Sequence, residues 1–333
     1  MKIRYAIMLA ALVVPLSCVH EYPENGGVDP TEIALTFNFT TDPSITEGSV
    51  LSGGLEAGAS VHFIFEIYKN DYTGDPIVRH EADAVRLGDG SASVQIKDTL
   101  HAGNYKGVVF AVCTKDMDKA TSVYEFDDLA HIEFKDPYPG PTPLKECYDD
   151  RFDITLSADD WFSSEEFTRI LHSPMGRVEI VSTDAVDFKE DVMSGTSVPE
   201  GNTSLASFSW DNYYVRWDYS LYFPNGYNAL TGLPNKAETS VYFTSPVTVV
   251  SDEEVLMGYE YVFVNGEETS VDLALSLYES GTDDLLNTYA GVKASLVKGK
   301  TTVIKDSFLT EGRDSGIGID PGFDGSIDIV LPD

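Results

Sequence analysis

The chain has 333 residues, with 22 lysines and arginines against 55 aspartates and glutamates, which gives a formal net charge of −33. That length predicts two domains of ordinary size, and 42% apolar residues can fill their cores, so the chain is not an acidic disordered polymer. The sign of the charge argues strongly against nucleic acid as a partner, because a phosphate-binding surface needs an excess of basic residues. It also disfavours adsorption to anionic lipid.

Residues 1–17 have the pattern of an export signal. The opening MKIR is basic, and the apolar stretch that follows, up to Leu16, is too short to span a bilayer as a helix. It ends on Ser17-Cys18, which resembles a bacterial lipobox, where signal peptidase II cleaves before the cysteine and Cys18 is then acylated. A signal peptide without a lipid is the alternative, because Pro15 and Leu16 depart from the usual order of the motif.

Residues 18–30 follow the predicted cleavage point and are polar and rich in glycine and proline. This composition predicts a flexible leash between the membrane and the first domain. Acyl chains on Cys18 would hold the protein in the membrane by its end, through burial of the lipid.

Beyond residue 30 the dominant pattern is an alternation of apolar and polar residues, which is typical of half-buried antiparallel strands. In the first half the apolar members are Ile33, Leu35, Phe37 and Phe39, then Val61, Phe63, Phe65 and Ile67, then Val94 and Ile96, and then Val108 and Phe110. Runs at 177–182, 213–223, 241–250, 259–264, 271–277, 301–309 and 326–331 continue the pattern. Many short strands without long helices between them predict β-sandwiches rather than a parallel α/β sheet.

Helix signals are few. Ser163, with Glu166 three residues later, forms a capping box that predicts a helix through Leu171, and a second short helix is predicted over 184–193. The proline-rich segment at 136–143 is a strong breaker, but strand-like sequence resumes at 151–156. We therefore place the domain boundary near residue 160, with an N-terminal β-sandwich over 31–160 and a C-terminal β-sandwich over 161–333.

The sequence lacks familiar catalytic motifs. It has no G-x-S-x-G nucleophile elbow, HEADA at 80–84 lacks the second histidine of a zincin, and the six histidines are never within four residues of one another. Asp149, Asp150 and Asp153 form an acidic cluster that could bind calcium weakly, but such clusters are expected from the composition. We predict no catalytic residue, no metal site and no cofactor, and expect that the protein is not an enzyme.

Two other functions stay open at this point. Tyr214 and Trp217 lie in one strand-like run and could form a sugar platform, although aromatic residues in strands more often belong to the core. A surface lipoprotein that binds glycans through an aromatic sheet face is therefore an alternative. A lipid-anchored glycan hydrolase is a third possibility, because its paired carboxylates need only meet in space.

Cys113 and Cys147 are the two cysteines beyond Cys18. An exported protein permits a disulfide between them, but a single pair is not a disulfide framework for a chain of this length. Two buried thiols are about as well supported.

Residues 100–110 read LHAGNYKGVVF, with a leucine, a glycine and a tyrosine before an apolar strand. This pattern is similar to that of the fimbrillin-type lipoproteins of Gram-negative anaerobes. The segments similar to that family's second domain are GRVEI at 176–180, FPNGYN at 223–228, MGYEYVFV at 257–264, KGKTTVIKDSFLT at 298–310 and IGIDPGFDGSIDI at 317–329. Gly299 stands where the family's C-terminal signature has asparagine.

The resemblance implies an all-β chain of two tandem transthyretin-like antiparallel β-sandwich domains with few short helices. It implies a structural subunit of a fimbria that assembles by β-strand exchange, in which a lent strand supplies main-chain hydrogen bonds. The partners would be fimbrial shaft subunits, and the protein would be anchored in the outer membrane by its N-terminal lipid and exposed as part of the fimbrium. The candidate exchange residues are Ile33, Leu35, Phe37, Phe39, Ile327, Ile329 and Leu331.

The position of the basic residues bears on assembly. Shaft subunits of the family are typically cut by an arginine-specific or trypsin-like protease after an early strand. Between Cys18 and Tyr68 this chain has no lysine or arginine; the first lysine is Lys69 and the first arginine is Arg79. Cleavage there would also cut beside the strand at 61–67. We therefore predict that the first strand stays in place and that the protein anchors or terminates a fimbria. The last predicted strand, which ends near Leu331, is expected to complete its own domain.

Overall fold

The computed structural model describes residues 31–51, 58–160, 163–194, 208–310 and 326–329, the last of these as backbone only. The predicted signal peptide, the leash, the lipidation site at Cys18 and the terminal Leu331 lie outside the described residues.

The described residues form twenty strands and one α-helix. In the first half the strands are β1 (Glu32–Thr41), β2 (Ala59–Lys69), β3 (Val78–Val85), β4 (Ser93–His101), β5 (Gly103–Lys115), β6 (Tyr124–Glu125), β7 (Ile132–Phe134), β8 (Cys147–Leu156) and β9 (Ser164–Leu171). In the second half the elements are β10 (Met175–Ser182), α1 (Ala185–Ser194), β11 (Tyr213–Tyr219), β12 (Phe223–Asn228), β13 (Leu233–Glu238), β14 (Val241–Pro246), β15 (Thr248–Val249), β16 (Val255–Phe263), β17 (Glu268–Glu279), β18 (Asp284–Val297), β19 (Thr301–Asp306) and β20 (Ser326–Ile329). Short 3₁₀ turns lie at Pro43–Thr46, Lys119–Thr121, Pro143–Lys145, Ala158–Asp160 and Trp210–Asn212.

The N-terminal sandwich packs the three-stranded sheet β4-β1-β9 against the four-stranded sheet β3-β2-β5-β8. Alternate side chains of each strand point to the same face, so the apolar members of the sequence alternation meet in one core. Phe37 lies 4.6 Å from Phe65, measured between ring centroids, and Phe65 stacks on Phe152 at 6.0 Å.

The C-terminal sandwich packs β15-β16-β10-β19-β20 against β14-β11-β17-β18. Helix α1 matches the short helix predicted over 184–193, and its Phe188 stacks on Trp210 with ring centroids 5.8 Å apart. The prediction of two tandem β-sandwiches in an all-β chain with few short helices is confirmed. Each sandwich contains one parallel strand pair, β1 with β9 and β10 with β19.

A fifth sheet joins the two halves of the chain. Its order is β13-β12-β7-β6, so it takes two strands from each half. Its aromatic residues form an apolar cluster with the outer faces of β2 and β5; Tyr227 stacks on Phe263 at 4.9 Å. The two sandwiches therefore share a buried junction.

The helix predicted from the capping box at Ser163 is wrong, because that segment is strand β9. Ser163 Oγ donates to the Asp160 carbonyl in a turn, and Glu166 accepts a 2.6 Å hydrogen bond from Asn38 on β1. Burial alternates residue by residue along this segment, with Phe167 and Leu171 on the inner face and Ile170 exposed, a period that suits a strand. Since β9 pairs with β1, the structure places the division between the sandwiches after Leu171 rather than at residue 160.

Candidate functional site

The first candidate exchange strand, β1, lies at the centre of its sheet. It pairs antiparallel with β4 from Glu32 to Thr40 and parallel with β9 from Ala34 to Thr41. Its four candidate residues are at most 1% exposed: Ile33, Leu35, Phe37 and Phe39. The strand is thus hydrogen-bonded on both sides and covered on its inner face.

The connection from β1 to β2 is fixed to the second sandwich. Thr301 Oγ1 on β19 donates a 2.5 Å hydrogen bond to the Ile45 carbonyl. Glu179 on β10 accepts from Ser49 Oγ at 2.5 Å and from the Val50 amide at 2.8 Å. The segment that follows β1 is therefore tied to two central strands of the other sandwich.

The first basic residues lie beyond β2. Lys69 is the last residue of that strand and is exposed, and the exposed turn after it begins at Asn70, whose φ is 69°. Arg79 lies in β3, where it pairs with the buried Glu66 at 2.5 Å and with Glu81 at 3.2 Å. Of the two, Lys69 is the more accessible to a protease.

The last described strand, β20, pairs antiparallel with β19 at the edge of its sheet. Ile327 lies opposite Ile304, and Ile329 lies opposite Thr302. The strand therefore completes a sheet of its own chain in this structure.

A buried ion pair crosses the junction. Lys145 Nζ lies 2.6 Å from Glu260 Oε1 on β16, and both side chains are fully buried. The ammonium group also donates to the Tyr138 hydroxyl at 3.0 Å and lies 4.1 Å from the centroid of that ring. Burial lowers the pKa of Lys145 to about 8 and raises the pKa of Glu260.

The aromatic residues proposed for a sugar platform separate in the structure. Trp217 is fully buried and donates to the Met257 carbonyl at 3.1 Å, so it belongs to the core and does not form the sugar platform considered as an alternative. Tyr214 lies on the outer face of β11 and stacks on Tyr278 of β17, with ring centroids 5.2 Å apart. The alternation itself could have shown this difference, because positions 214 and 217 lie on opposite faces of one strand.

That outer face carries a second aromatic group. The Arg216 guanidinium lies 4.2 Å from the ring centroid of Tyr242 on β14, and Tyr242 is 57% exposed. Sequence analysis missed Tyr242 and Tyr278 because only strand pairing brings them beside β11.

Both Cys113 and Cys147 are buried free thiols. Cys147 lies opposite Val112 in the β5–β8 register and faces the junction cluster, whereas Cys113 faces the N-terminal core. Side chains on opposite faces of a sheet cannot be bridged without moving the backbone, so the disulfide that the sequence allowed is not formed. Burial raises the pKa of the Cys113 thiol to about 12.

The acidic cluster considered for calcium is engaged with basic partners. Asp149 pairs with Arg151 at 2.5 Å, Asp150 pairs with Arg169 at 2.5 Å, and Asp153 pairs with Lys106. Among the described residues, no group of three or more histidines, cysteines or carboxylates is placed to hold a metal ion. Among the described residues, no helix is long and apolar enough to cross a membrane.

Comparison with known proteins gives one family match. A model described as a family of unknown function (DUF6562) matches residues 25–332. No curated protein matches the sequence.

Solved structures similar to this chain include two fimbrial proteins of Porphyromonas gingivalis. These are the fimbrial anchor protein Mfa2 (TM-score 0.40, 11% identity, 82% of this chain and 90% of that chain) and the tip fimbrial protein Mfa3 (0.39, 9%, 82% and 94%). A fimbrial assembly protein from Parabacteroides distasonis is also similar (0.38, 13%, 82% and 90%). Their names coincide with the family that the sequence resembles.

Proposed function

Because this chain belongs to the DUF6562 family, whose function is unknown, we propose a role from its own residues: a structural, non-enzymatic subunit that anchors or terminates a surface fimbria. The observation that carries the proposal is the position of the first strand relative to the first basic residues. β1 lies at the centre of its sheet, and the chain offers no basic residue between Cys18 and the end of β2.

Release of β1 would be costly. Each of its four buried apolar side chains is worth roughly 1.5–3 kcal/mol, or roughly 6–12 kcal/mol together. The net stability of a whole domain is of the same size, roughly 5–15 kcal/mol. A sandwich that lost β1 would therefore not keep an open groove waiting for a partner.

Cleavage at Lys69 would remove even more. It would detach β2 together with β1, and β2 is the strand that carries Val61, Phe63, Phe65 and Ile67, all fully buried, between β3 and β5. Strand release by a trypsin-like protease would thus dismantle the N-terminal sandwich instead of activating it. Because cleavage would destroy the sandwich, an anchoring or terminal position in the fimbria is favoured over a place within the shaft.

The remaining parts of the proposal follow from the N-terminal sequence. Acylated Cys18 and the leash over 18–30 would hold the subunit in the outer membrane, with its sandwiches at the surface. Shaft subunits would bind by adding a strand to one of its sheet edges, with main-chain hydrogen bonds giving the affinity.

Intact mass and N-terminal analysis of the membrane-bound protein tests the proposal. We expect a chain that begins at acylated Cys18, runs unbroken through Lys69 and Arg79, and binds purified shaft subunits. A mature protein cut after Lys69 or Arg79, or a chain without acyl groups, would contradict it.

A second candidate function is glycan binding on the outer face of β11. The observation that favours it is the pair of aromatic groups on that face, Tyr214 on Tyr278 and Arg216 on Tyr242, of which Tyr242 is exposed. Affinity electrophoresis in polysaccharide gels would detect such binding, and Tyr242→Ala should abolish the retardation. Tyr222→Ala is the matched control, since Tyr222 is 41% exposed in a loop outside that sheet. Equal retardation of both variants would reject the face as a glycan site.

A further inference from the structure

A cavity of about 340 Å³ lies between the two sandwiches, and neither candidate function uses it. A volume of this size is at the lower end of small-molecule sites. Its walls come from the β3–β4 turn and β5 on one side and from β10 and β16 on the other. The side chains that matter below are Arg86, Cys113, Glu146, Arg177, Tyr259 and Tyr261.

The first buried cation is Arg86, whose side chain is 5% exposed. Its Nε donates to the Gly90 carbonyl at 2.9 Å, and its Nη2 lies 2.8 Å from Glu146. Among the described residues, its Nη1 donates only to the Cys113 sulfur, at 3.7 Å, which is a weak acceptor. One end of this guanidinium group is therefore poorly satisfied.

The second buried cation is Arg177, whose side chain is 6% exposed. Its Nη2 lies 2.6 Å from Glu179, its Nη1 donates to the Tyr261 hydroxyl at 3.2 Å, and its guanidinium carbon lies 4.5 Å from the Tyr259 ring centroid. Its Nε is buried and has no acceptor among the described residues. A charged donor without an acceptor is costly to bury.

The two carboxylates near these arginines already have three partners each. Glu146 accepts from the Tyr148 and Tyr261 hydroxyls, both at 3.0 Å, besides its pair with Arg86. Glu179 accepts from Ser49 and Val50 besides its pair with Arg177. Among the described residues, neither carboxylate accepts from Arg177 Nε, so that donor is open to an acceptor on a ligand.

We infer that this cavity binds a small organic monocarboxylate, which supplies the missing acceptor to the arginine pair. Guanidinium groups match carboxylates in shape and charge. A polyanion is disfavoured, because the chain carries a net charge of −33 and repels multiply charged ligands more strongly. The ligand enters past Gly88 and Asp89, which are exposed at the rim.

Gly88 offers a way to close the cavity without touching the arginines. A Cβ atom built on Gly88 meets nothing within 4 Å, and its φ is not in the left-handed region. Gly88→Phe should therefore fold normally and obstruct the rim, while Arg86 and Arg177 keep their contacts.

The test is a titration of the full exported protein with selectively ¹⁵N-labelled arginine, followed through the Nε–H signals. The carboxylate probes are acetate and D-glucuronate, the neutral analogues are acetamide and glucose, and inorganic phosphate is the polyanion. We expect a saturable shift of the Arg177 signal with both carboxylates, about tenfold tighter than with the neutral analogues. The exposed Arg216 serves as an internal control and should not show saturable shifts.

Gly88→Phe should keep the free-state arginine signals and lose the saturable shift with both carboxylates. The inference is overturned if neither carboxylate gives a saturable shift, if acetamide or phosphate binds as tightly as acetate, or if Gly88→Phe binds like the unmodified protein. It is supported if binding requires the negative charge of the probe and the open rim.

Discussion

The first strands of the two sandwiches, β1 and β10, occupy equivalent positions but differ in how they are covered. Each lies inside its sheet, with an antiparallel neighbour on one side and a parallel neighbour on the other. β1 buries every second residue, whereas all eight residues of β10 are buried. The outer face of β10 carries Arg177 and Glu179, which lie against Tyr259 and the β1–β2 connection.

This difference shows that position in a sheet does not decide whether a strand can be lent to a partner. A strand with one buried face loses one set of apolar contacts on release, whereas release of β10 would also take Arg177 and Glu179 away from their hydrogen-bond partners on β16 and the β1–β2 connection. Release of β10 would therefore cost more than release of β1, and the proposed retention of β1 rests on its four core residues and on the position of the first basic residue after Cys18, Lys69.

The largest loss of stability is expected from a substitution on the outer face of β10. Glu179→Gln removes the charge that pairs with buried Arg177, so the free energy of unfolding should fall by about 3–5 kcal/mol. Urea denaturation measures the change. Glu166→Gln, on the outer face of β9, is the matched control and should change it by at most about 0.5 kcal/mol, because Glu166 is exposed. Equal losses of stability in Glu179→Gln and Glu166→Gln would show that the outer face of β10 is no more constrained than the outer face of β9.

The inner face of β1 gives the next effect. Leu35→Ala should destabilise the N-terminal sandwich by about 2–5 kcal/mol through lost burial and the cavity it leaves. Iodoacetamide labelling in increasing urea reports the opening of that core, since Cys113 lies in it. Cys113 should become reactive at a lower urea concentration than in the unmodified protein.

Leu275→Ala provides the matched control for Leu35→Ala, because Leu275 is equally buried in the other core. Cys113 should then react no earlier than in the unmodified protein. Early labelling of Cys113 in both variants would mean that the two cores open together.

The buried pair beside β10 predicts a pH dependence. Burial lowers the pKa of Lys145 to about 8 from its ordinary 10.5, so above pH 8 the folded state loses a proton that the unfolded chain keeps. The unfolded state then binds more protons, and this contribution to the free energy of unfolding rises with pH up to 10.5. Between pH 7 and 9.5, unmodified protein should gain about 2 kcal/mol relative to Lys145→Met.

Lys69→Met is the control for that measurement, because Lys69 is exposed at the end of β2. Its difference from the unmodified protein should not vary over the same pH range. If the difference in free energy of unfolding between unmodified protein and Lys145→Met stays constant with pH, the lowered pKa of Lys145 is contradicted.

The smallest effect is expected on the outer face of β1. Ala34 is exposed there, so Ala34→Ser should change the free energy of unfolding by at most about 0.5 kcal/mol. A larger loss in urea denaturation would show that this face is covered by something other than solvent.

Local patterns in the sequence predict the strands well but not the junction. The alternation at 33–39 gives β1 and its buried face, because one face meets a core and the other meets solvent. The capping box at Ser163 failed because pairing with β1 outweighs a local helix preference. Residues 108–113 are apolar on both faces, a signal of a sheet covered on two sides that could have revealed the junction.

The buried pair of Lys145 and Glu260 has no such signal. The two residues are 115 positions apart, and nothing in either local sequence indicates that they meet. The same holds for Arg86 and Arg177, which reach one cavity only because the two sandwiches pack together.

The placement of β1 also has a mechanical consequence. The chain before Glu32 leads directly into this strand, and the strand is bonded along nearly its whole length to both β4 and β9. A pull on that end along the strand axis loads both ladders in shear, so many hydrogen bonds have to yield at once. If β1 were instead an edge strand pulled at right angles to its axis, its hydrogen bonds would break one at a time.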